Sequence, residues 1–228
     1  MKKLLLLLVL MSSNISMAQE QGFTKPDYNG IRKAIQQPNT PLFYKRLMER
    51  FHEGDSSMTL QQKRHLYYGF IHQTHYRPYH RSEYGDSLRQ VVKTIKELIP
   101  LQNKILKYTD AMLQENPFDL QAITYQMNLL DVLGKTQTLN KRRAQMHIIF
   151  DAIVSTGDGK SKETAYYVIF AAHEYALLSA LGYDFGGLQR LTRPCDYLQL
   201  AENDEGITGL YFNIAPCLDH LRAMFKKD

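Results

Sequence analysis

A histidine, a glutamate and a tyrosine stand side by side at positions 173–175, directly after the apolar run of residues 166–170. A carboxyl group beside an imidazole can perform the general acid–base chemistry that a hydrolase needs. We favour a strand for the segment 173–181, although its alanines and leucines also fit a helix. On a strand, neighbouring side chains point to opposite faces, so His173 would share a face with Tyr175 and not with Glu174. We therefore interpret all three as binding residues, with a hydrolase of unrecognised class that uses His173 or Glu174 as the alternative.

A second group of polar side chains lies in the aromatic stretch that follows a predicted helix. His72 and His75 have the spacing of metal ligands on one helical turn, but no glutamate completes a zinc-protease motif between them. Tyr76 and neighbouring tyrosines carry a polar tip on an apolar ring, which suits a recognition surface. We count His72, His75 and Tyr76 as binding residues and predict no metal and no cofactor.

The tripeptide Gly159-Lys160-Ser161 invites comparison with a phosphate-binding loop. That loop requires an earlier glycine where this chain has Val154, and it lies after a strand and before a helix. Here the predicted order is reversed, so we interpret residues 157–161 as a turn.

The first eighteen residues have the pattern of a cleaved signal peptide. Lys2 and Lys3 precede the apolar stretch 4–11, which is too short to span a bilayer, and Ser16 and Ala18 are the small residues of a cleavage site. We expect residues 1–18 to be removed, residues 19–26 to form a linker, and the protein to be periplasmic or secreted, without a transmembrane segment after cleavage. A buried N-terminal helix is the alternative.

Export changes what the charge and the cysteines mean. The formal net charge of +5 falls by two lysines to +3, which does not indicate a nucleic-acid partner. An oxidising compartment permits a disulfide between Cys195 and Cys217, which would contribute about 3 kcal/mol through loop entropy. Two buried thiols are the alternative.

Helical patterns fill residues 27–156. Asp27, Thr59 and Asp119 stand at N-cap positions, and Gly54 and Gly134 stand where helices end. The succession of helix, Asn-Pro-x-Asp, helix, glycine and helix is typical of a tetratricopeptide-like helical hairpin, while a plain helical bundle explains it equally well.

Residues 157–228 change in character to β-branched and aromatic. Strands are predicted over 166–170, 196–200 and 207–214, the last two as an antiparallel hairpin. The expected fold class is α+β, in which the helical region packs against a small antiparallel sheet as one structural unit.

Several short motifs of the C-terminal third resemble one protein family. They are Gly157-Asp158-Gly159, Ala165, Val168-Ile169, His173-Glu174-Tyr175, Leu178, Leu181-Gly182, Asp196-Tyr197-Leu198, Asn203 and residues 209–214. Together with residues 64–69 and the signal peptide, they resemble an uncharacterised exported family of Bacteroidota, domain of unknown function 4919, over about residues 27–214. The resemblance implies export and one conjoined unit, and it implies no activity and no catalytic residue.

The resulting hypothesis is a binding or protein-interaction module of the cell envelope. A groove between the helices and the sheet would carry His173, Tyr175 and Tyr76, and an envelope protein or a glycan would be its partner. The alternatives are the hydrolase and an envelope factor with a purely structural role.

Overall fold

A computed structural model describes residues 22–92 and 99–225. The predicted signal peptide and the first residues of the predicted linker lie outside these ranges. Within them the chain forms nine helices, mainly in its N-terminal part, followed by a four-stranded sheet. The expected α+β class is therefore confirmed.

The helices occupy both ends of the described chain. Seven of them precede the sheet: α1 (Tyr28–Ile35), α2 (Tyr44–Glu53), α3 (Leu60–Gly69), α4 (Glu83–Val91), α5 (Gln102–Glu115), α6 (Leu120–Val132) and α7 (Thr136–Val154). The rest of the chain contains β1 (Tyr166–Tyr167), α8 (Ala172–Ala180), β2 (Phe185–Thr192), β3 (Cys195–Leu200), β4 (Gly209–Asn213) and α9 (Ala215–Phe225).

The predicted N-caps of α1, α3 and α6 and the predicted end of α2 are confirmed by local hydrogen bonds. The side chains of Asp27 and Asp119 each accept a backbone N–H of the first helical turn. Thr59 and Gln62 form a reciprocal capping box at the start of α3. Gly54 closes α2 with φ of 69°, a left-handed conformation that glycine adopts without steric cost.

The helices pack around two hydrophobic clusters, a small one between α4, α5 and α6 and a larger one that extends from α1–α3, α6 and α7 into the sheet. Helices α4 to α7 each pack on the next one along the chain, and α7 returns to pack on α3, which also contacts α1 and α2. This return contact closes the helices around buried side chains such as Phe51, Leu66 and Ile149. The arrangement favours a closed bundle over an open tetratricopeptide-like stack.

The sheet has the strand order β1-β4-β3-β2. The predicted hairpin of β3 and β4 is confirmed, with Asp196 opposite Phe212. The expectation of a purely antiparallel sheet was wrong, because β1 runs parallel to β4 and is only two residues long. Strand β2 was not predicted, because Gly186 and Gly187 indicated turns, and its register is irregular between Phe185 and Gln189.

Residues 173–181 were predicted as a strand, and this was wrong: Ala172–Ala180 form helix α8. Its buried side carries two polar residues, His173 and Glu174, and its exposed side carries apolar residues such as Tyr175, so its apolar residues do not follow a clear helical period. On a helix, His173, Glu174 and Tyr175 project in three different directions, about 100° apart.

Helix α9 was also missed, although Pro216 in its first turn is typical of helix starts. Across the described ranges, none of the helices combines the length and the apolarity that a membrane crossing requires.

Candidate functional site

Three buried tyrosines of α3 and the loop after it hold the chain between β1 and α8. Tyr68 donates its hydroxyl to the carbonyl of Tyr167 at 3.0 Å, and Tyr76 donates to the carbonyl of Ile169 at 2.7 Å. The hydroxyl oxygen of Tyr67 accepts the backbone N–H of Ile169 at 3.2 Å. These bonds satisfy backbone groups that the two-residue strand β1 leaves without sheet partners, and they fix where α8 begins.

His173 projects from α8 into the core, where only 2% of its surface is exposed. Its Nε2 lies 2.9 Å from the carbonyl oxygen of Phe118, so this nitrogen donates. Its Nδ1 lies 2.9 Å from the Tyr67 hydroxyl, which donates to it because the carbonyl bond fixes the proton on Nε2. Burial lowers the pKa of His173 to about 4, so the imidazole is neutral at pH 7 with both nitrogens engaged.

Glu174 projects in a different direction and is fully buried. Its Oε2 lies 3.4 Å from the Nε2 of Gln189, while its Oε1 has no hydrogen-bond partner among the described residues. Burial, and after it the nearby carboxyl group of Asp196, raise the pKa of Glu174 to about 9. Glu174 is therefore a neutral carboxylic acid at pH 7.

Asp196 on β3 and Glu174 form a carboxyl pair beneath the exposed side chain of Gln189. Gln189 donates its Nε2 to Oδ2 of Asp196 at 2.7 Å, and its Oε1 accepts the Tyr175 hydroxyl at 2.6 Å. Burial raises the pKa of Asp196, against the effect of the Gln189 bond. Neither carboxyl group takes part in any ion pair found within the described ranges.

The other predicted binding residues lie apart from the carboxyl pair or are engaged elsewhere. His72 directs its Nε2 to the carbonyl of Tyr28 at 3.1 Å, and the exposed His75 packs edge-on against the ring of Phe70. Tyr76 is buried, with its hydroxyl on backbone. In the part of the chain that the structure describes, no three side chains of His, Cys, Asp or Glu form a group that could hold a metal ion.

Cys195 and Cys217 are buried, and both are free thiols in the structure. Cys217 lies beside the Tyr76 hydroxyl on the side of the carboxyl pair, and burial, with a smaller effect of the two carboxyl groups, raises the pKa of its thiol to about 12. Asp196 points to that same side, so the adjacent Cys195 points to the opposite face of β3. Strand alternation thus directs the two sulfurs away from each other.

Asp196 and Gln189 are site residues that sequence reasoning missed. Asp196 carries a usable signal: it alternates with Leu198 and Leu200, so a carboxylate stands on the buried face of a strand. Gln189 carries no such signal, because its strand is exposed almost throughout.

The chain also has a groove of about 1050 Å³ between residues 22–25 and helices α1, α3 and α7. Arg64 donates to the carbonyl of Thr24 at 2.7 Å, and Lys63 pairs with Asp151 at 2.6 Å. None of the residues predicted to bind a partner lines this groove. Arg64 thus holds residues 24 and 25 against α3, and the Lys63–Asp151 pair links α3 to α7.

The neutral imidazole of His173 makes the protein less stable at acidic pH. Its pKa is about 4 in the folded chain and about 6.5 in the unfolded chain, so its contribution is complete above pH 6.5 and is lost as the pH falls towards 4. Protonation of His173 should lower the unfolding free energy by about 3 kcal/mol as the pH falls over this range. We expect the His173→Gln variant to lack this decrease. Urea unfolding between pH 4 and pH 7 measures it.

The exposed His147 provides the matched control for that experiment. His147→Gln should follow the pH profile of the unaltered protein. If the unfolding free energy of His173→Gln changed with pH in the same way as that of the unaltered protein, the buried imidazole would not be neutral.

Glu174 makes the opposite contribution. Its pKa is raised on folding, so its stabilising contribution is complete below about pH 4.5 and is lost as the pH rises towards 9. As the pH rises from 5 to 7, the unfolding free energy of Glu174→Gln should increase by roughly 2 to 3 kcal/mol relative to that of the unaltered protein. Glu49→Gln, which changes an exposed carboxylate of α2, is the control, and an equal response of both variants would contradict the neutral state of Glu174.

The described site lies within a region of the chain that matches a known protein family. A family model for a domain of unknown function matches residues 29–222, from α1 into α9, and so includes the carboxyl pair and Gln189. No curated protein matches the chain, and no solved structure matches it. The match covers most of the sequence and agrees with the resemblance found in its motifs. The chain therefore belongs to the family described as domain of unknown function DUF4919.

Proposed function

We propose that this protein is an exported binding module that takes an extended segment of another polypeptide onto the outer edge of β2. The observation that carries the proposal is the position of β2 at the end of the sheet, with seven of its eight residues exposed. An edge strand offers backbone N–H and C=O groups on which a partner strand can pair. Residues 189–192 have a regular register and suit a short added strand.

Exposed apolar side chains surround this edge. The β2 surface is defined here as Tyr175, Leu181, Phe185, Leu188 and Leu191, whose side chains are between 38% and 45% exposed. The rings of Tyr175 and Phe185 pack edge to face at 5.4 Å and so link α8 to β2. Exposed apolar side chains beside a free strand edge are typical of an interaction site.

A polypeptide fits this surface better than a glycan does. Backbone pairing needs a partner with N–H and C=O groups at strand spacing, which a sugar chain lacks. The carboxyl pair adjoins the surface without a cationic partner from the described residues, so a basic side chain in the partner would complement it.

Support for export comes from the order of charged, apolar and small residues over positions 1–18. The partner would then be another protein of the cell envelope. The origin of the chain in Bacteroidota stays a prediction from the motif resemblance.

The hydrolase alternative has one observation in its favour, the neutral Glu174 close to Asp196, since an acid and a carboxylate can share catalytic work. Binding is favoured over hydrolysis, because Glu174 is fully buried and Gln189 covers it. His173 has no free ring nitrogen to offer a substrate.

A random peptide display library tests the proposal. We expect the purified protein to select extended peptides with alternating apolar residues, and the double variant Leu188→Lys/Leu191→Lys to lose them by at least tenfold, because edge lysines oppose strand addition. Val132→Lys, an equally exposed position on α6, should bind as the unaltered protein does. Fluorescence anisotropy of the selected peptides provides the affinities.

Methylation of alternate peptide nitrogens separates backbone pairing from apolar contact alone. Peptides methylated on the pairing N–H groups should lose binding, whereas methylation of the intervening ones should not. Selected peptides that bind both lysine variants equally, or binding of envelope glycans in place of peptides, would contradict the proposal.

A further inference from the structure

We propose that the carboxyl pair is the specificity pocket of the β2 surface and accepts the guanidinium group of an arginine in the docked segment. This inference rests on the proposed function, because it assigns a side chain to the segment that β2 would bind. It requires that Glu174 and Asp196 lie where a partner side chain can reach them once Gln189 moves aside.

The first observation is the unpartnered oxygen of Glu174. A buried polar atom without a hydrogen bond costs stability, so such atoms are uncommon in folded proteins. Oε1 of Glu174 is one of these atoms in the described chain, and its side chain is fully buried. A donor supplied by a ligand would satisfy it.

The second observation is the way in which Gln189 occupies the pocket. Its Nε2 group approaches Oδ2 of Asp196 at 2.7 Å and Oε2 of Glu174 at 3.4 Å, and so places N–H donors between the two carboxyl groups. A guanidinium presents the same planar N–H donors, with five protons and a positive charge. Gln189 thus holds in the free protein the place that an arginine would take in the complex.

The cover can move without disrupting the core. Gln189 lies on the exposed edge strand, and its other contact is the hydroxyl of Tyr175, a residue that is 42% exposed. Rotation of the Gln189 side chain would expose the carboxyl pair and leave the β2 backbone in its register with β3. Lysine fits less well, because a single ammonium cannot present a planar fork to two carboxyl groups.

Binding of a cation would change the protonation of the pocket. Of the other titratable groups beside the pair, Tyr79 and Cys217 have pKa values of about 12 and are neutral at pH 7. A guanidinium placed between Glu174 and Asp196 favours the ionised form of both, so the titration of Glu174 moves to lower pH and its proton passes to solvent.

The experiment uses N-acetyl-arginine methylamide as the probe and N-acetyl-citrulline methylamide, its uncharged isostere, as the control. Nuclear magnetic resonance of the purified protein follows the carboxyl carbon of Glu174 and the side-chain amide of Gln189 during titration. We expect the arginine probe to shift both signals and to lower the apparent pKa of Glu174, and the citrulline probe to shift neither.

Three variants separate a pocket from a purely structural cluster. Glu174→Gln and Asp196→Asn should weaken the arginine probe by about tenfold or more, because each removes a charge-assisted hydrogen bond. Gln189→Ala should tighten the probe several-fold, because the competing amide is gone. Glu115→Gln should leave the affinity unchanged, and unfolding midpoints verify that each variant is folded.

Equal shifts with arginine and citrulline probes, no shift with either, or an unchanged affinity in Glu174→Gln would overturn the inference. Its failure is distinct from failure of the proposed function. Peptides that depend on the β2 edge but bind Glu174→Gln normally would leave strand addition intact and remove the arginine pocket. If the arginine probe bound but no peptide depended on the β2 edge, the arginine pocket would remain and strand addition would be excluded.

Discussion

Hydrogen bonds between three buried tyrosine hydroxyls and one stretch of backbone hold the helical part of this chain against its sheet. Strand β1 has only two residues, so the peptide groups that follow it would be buried without partners if Tyr67, Tyr68 and Tyr76 did not reach them. Such groups are almost always satisfied in folded proteins, and here side chains from one helix and its following loop do so. The start of α8, and with it the direction of every side chain on that helix, depends on these bonds.

Because the tyrosine bonds fix α8, its two ionisable neighbours His173 and Glu174 lie in different surroundings. His173 faces the tyrosines and has both ring nitrogens satisfied, so it stabilises the fold as a neutral imidazole. Glu174 faces the sheet edge and has one oxygen unsatisfied, so it costs stability at neutral pH. A buried group that destabilises the protein and lies under an exposed, apolar strand edge is what a binding site held ready for a partner requires.

Much of the fold could be predicted because its signals are local. Asp27, Thr59 and Asp119 cap helices by bonds within one turn, and the β3–β4 hairpin follows from alternation around a polar loop. Helix α8 and strand β2 could not be predicted in this way. The period of α8 is hidden because polar residues lie on its buried side and apolar residues on its exposed side. The two glycines of β2 mark an irregular register that resembles a turn in sequence.

The site was predicted only in part for the same reason. Glu174 and Tyr175 were identified from their own chemistry, but the strand interpretation paired His173 with Tyr175, whereas the helix directs Glu174 and Tyr175 to the same Gln189. Asp196 reaches the pair only through the pairing of β3 with its neighbours. Tertiary contacts of this kind leave no trace in the spacing of residues along the chain.

The unfolding free energy of Tyr67→Phe, compared with that of Tyr84→Phe, tests the central claim most directly. Loss of the Tyr67 hydroxyl leaves the Ile169 N–H and Nδ1 of His173 without their partner, so we expect a cost of about 2 kcal/mol or more at pH 7. The exposed Tyr84 should cost less than about 0.5 kcal/mol. Equal and small effects of the two substitutions would show that the tyrosine hydroxyls do not hold α8 in place.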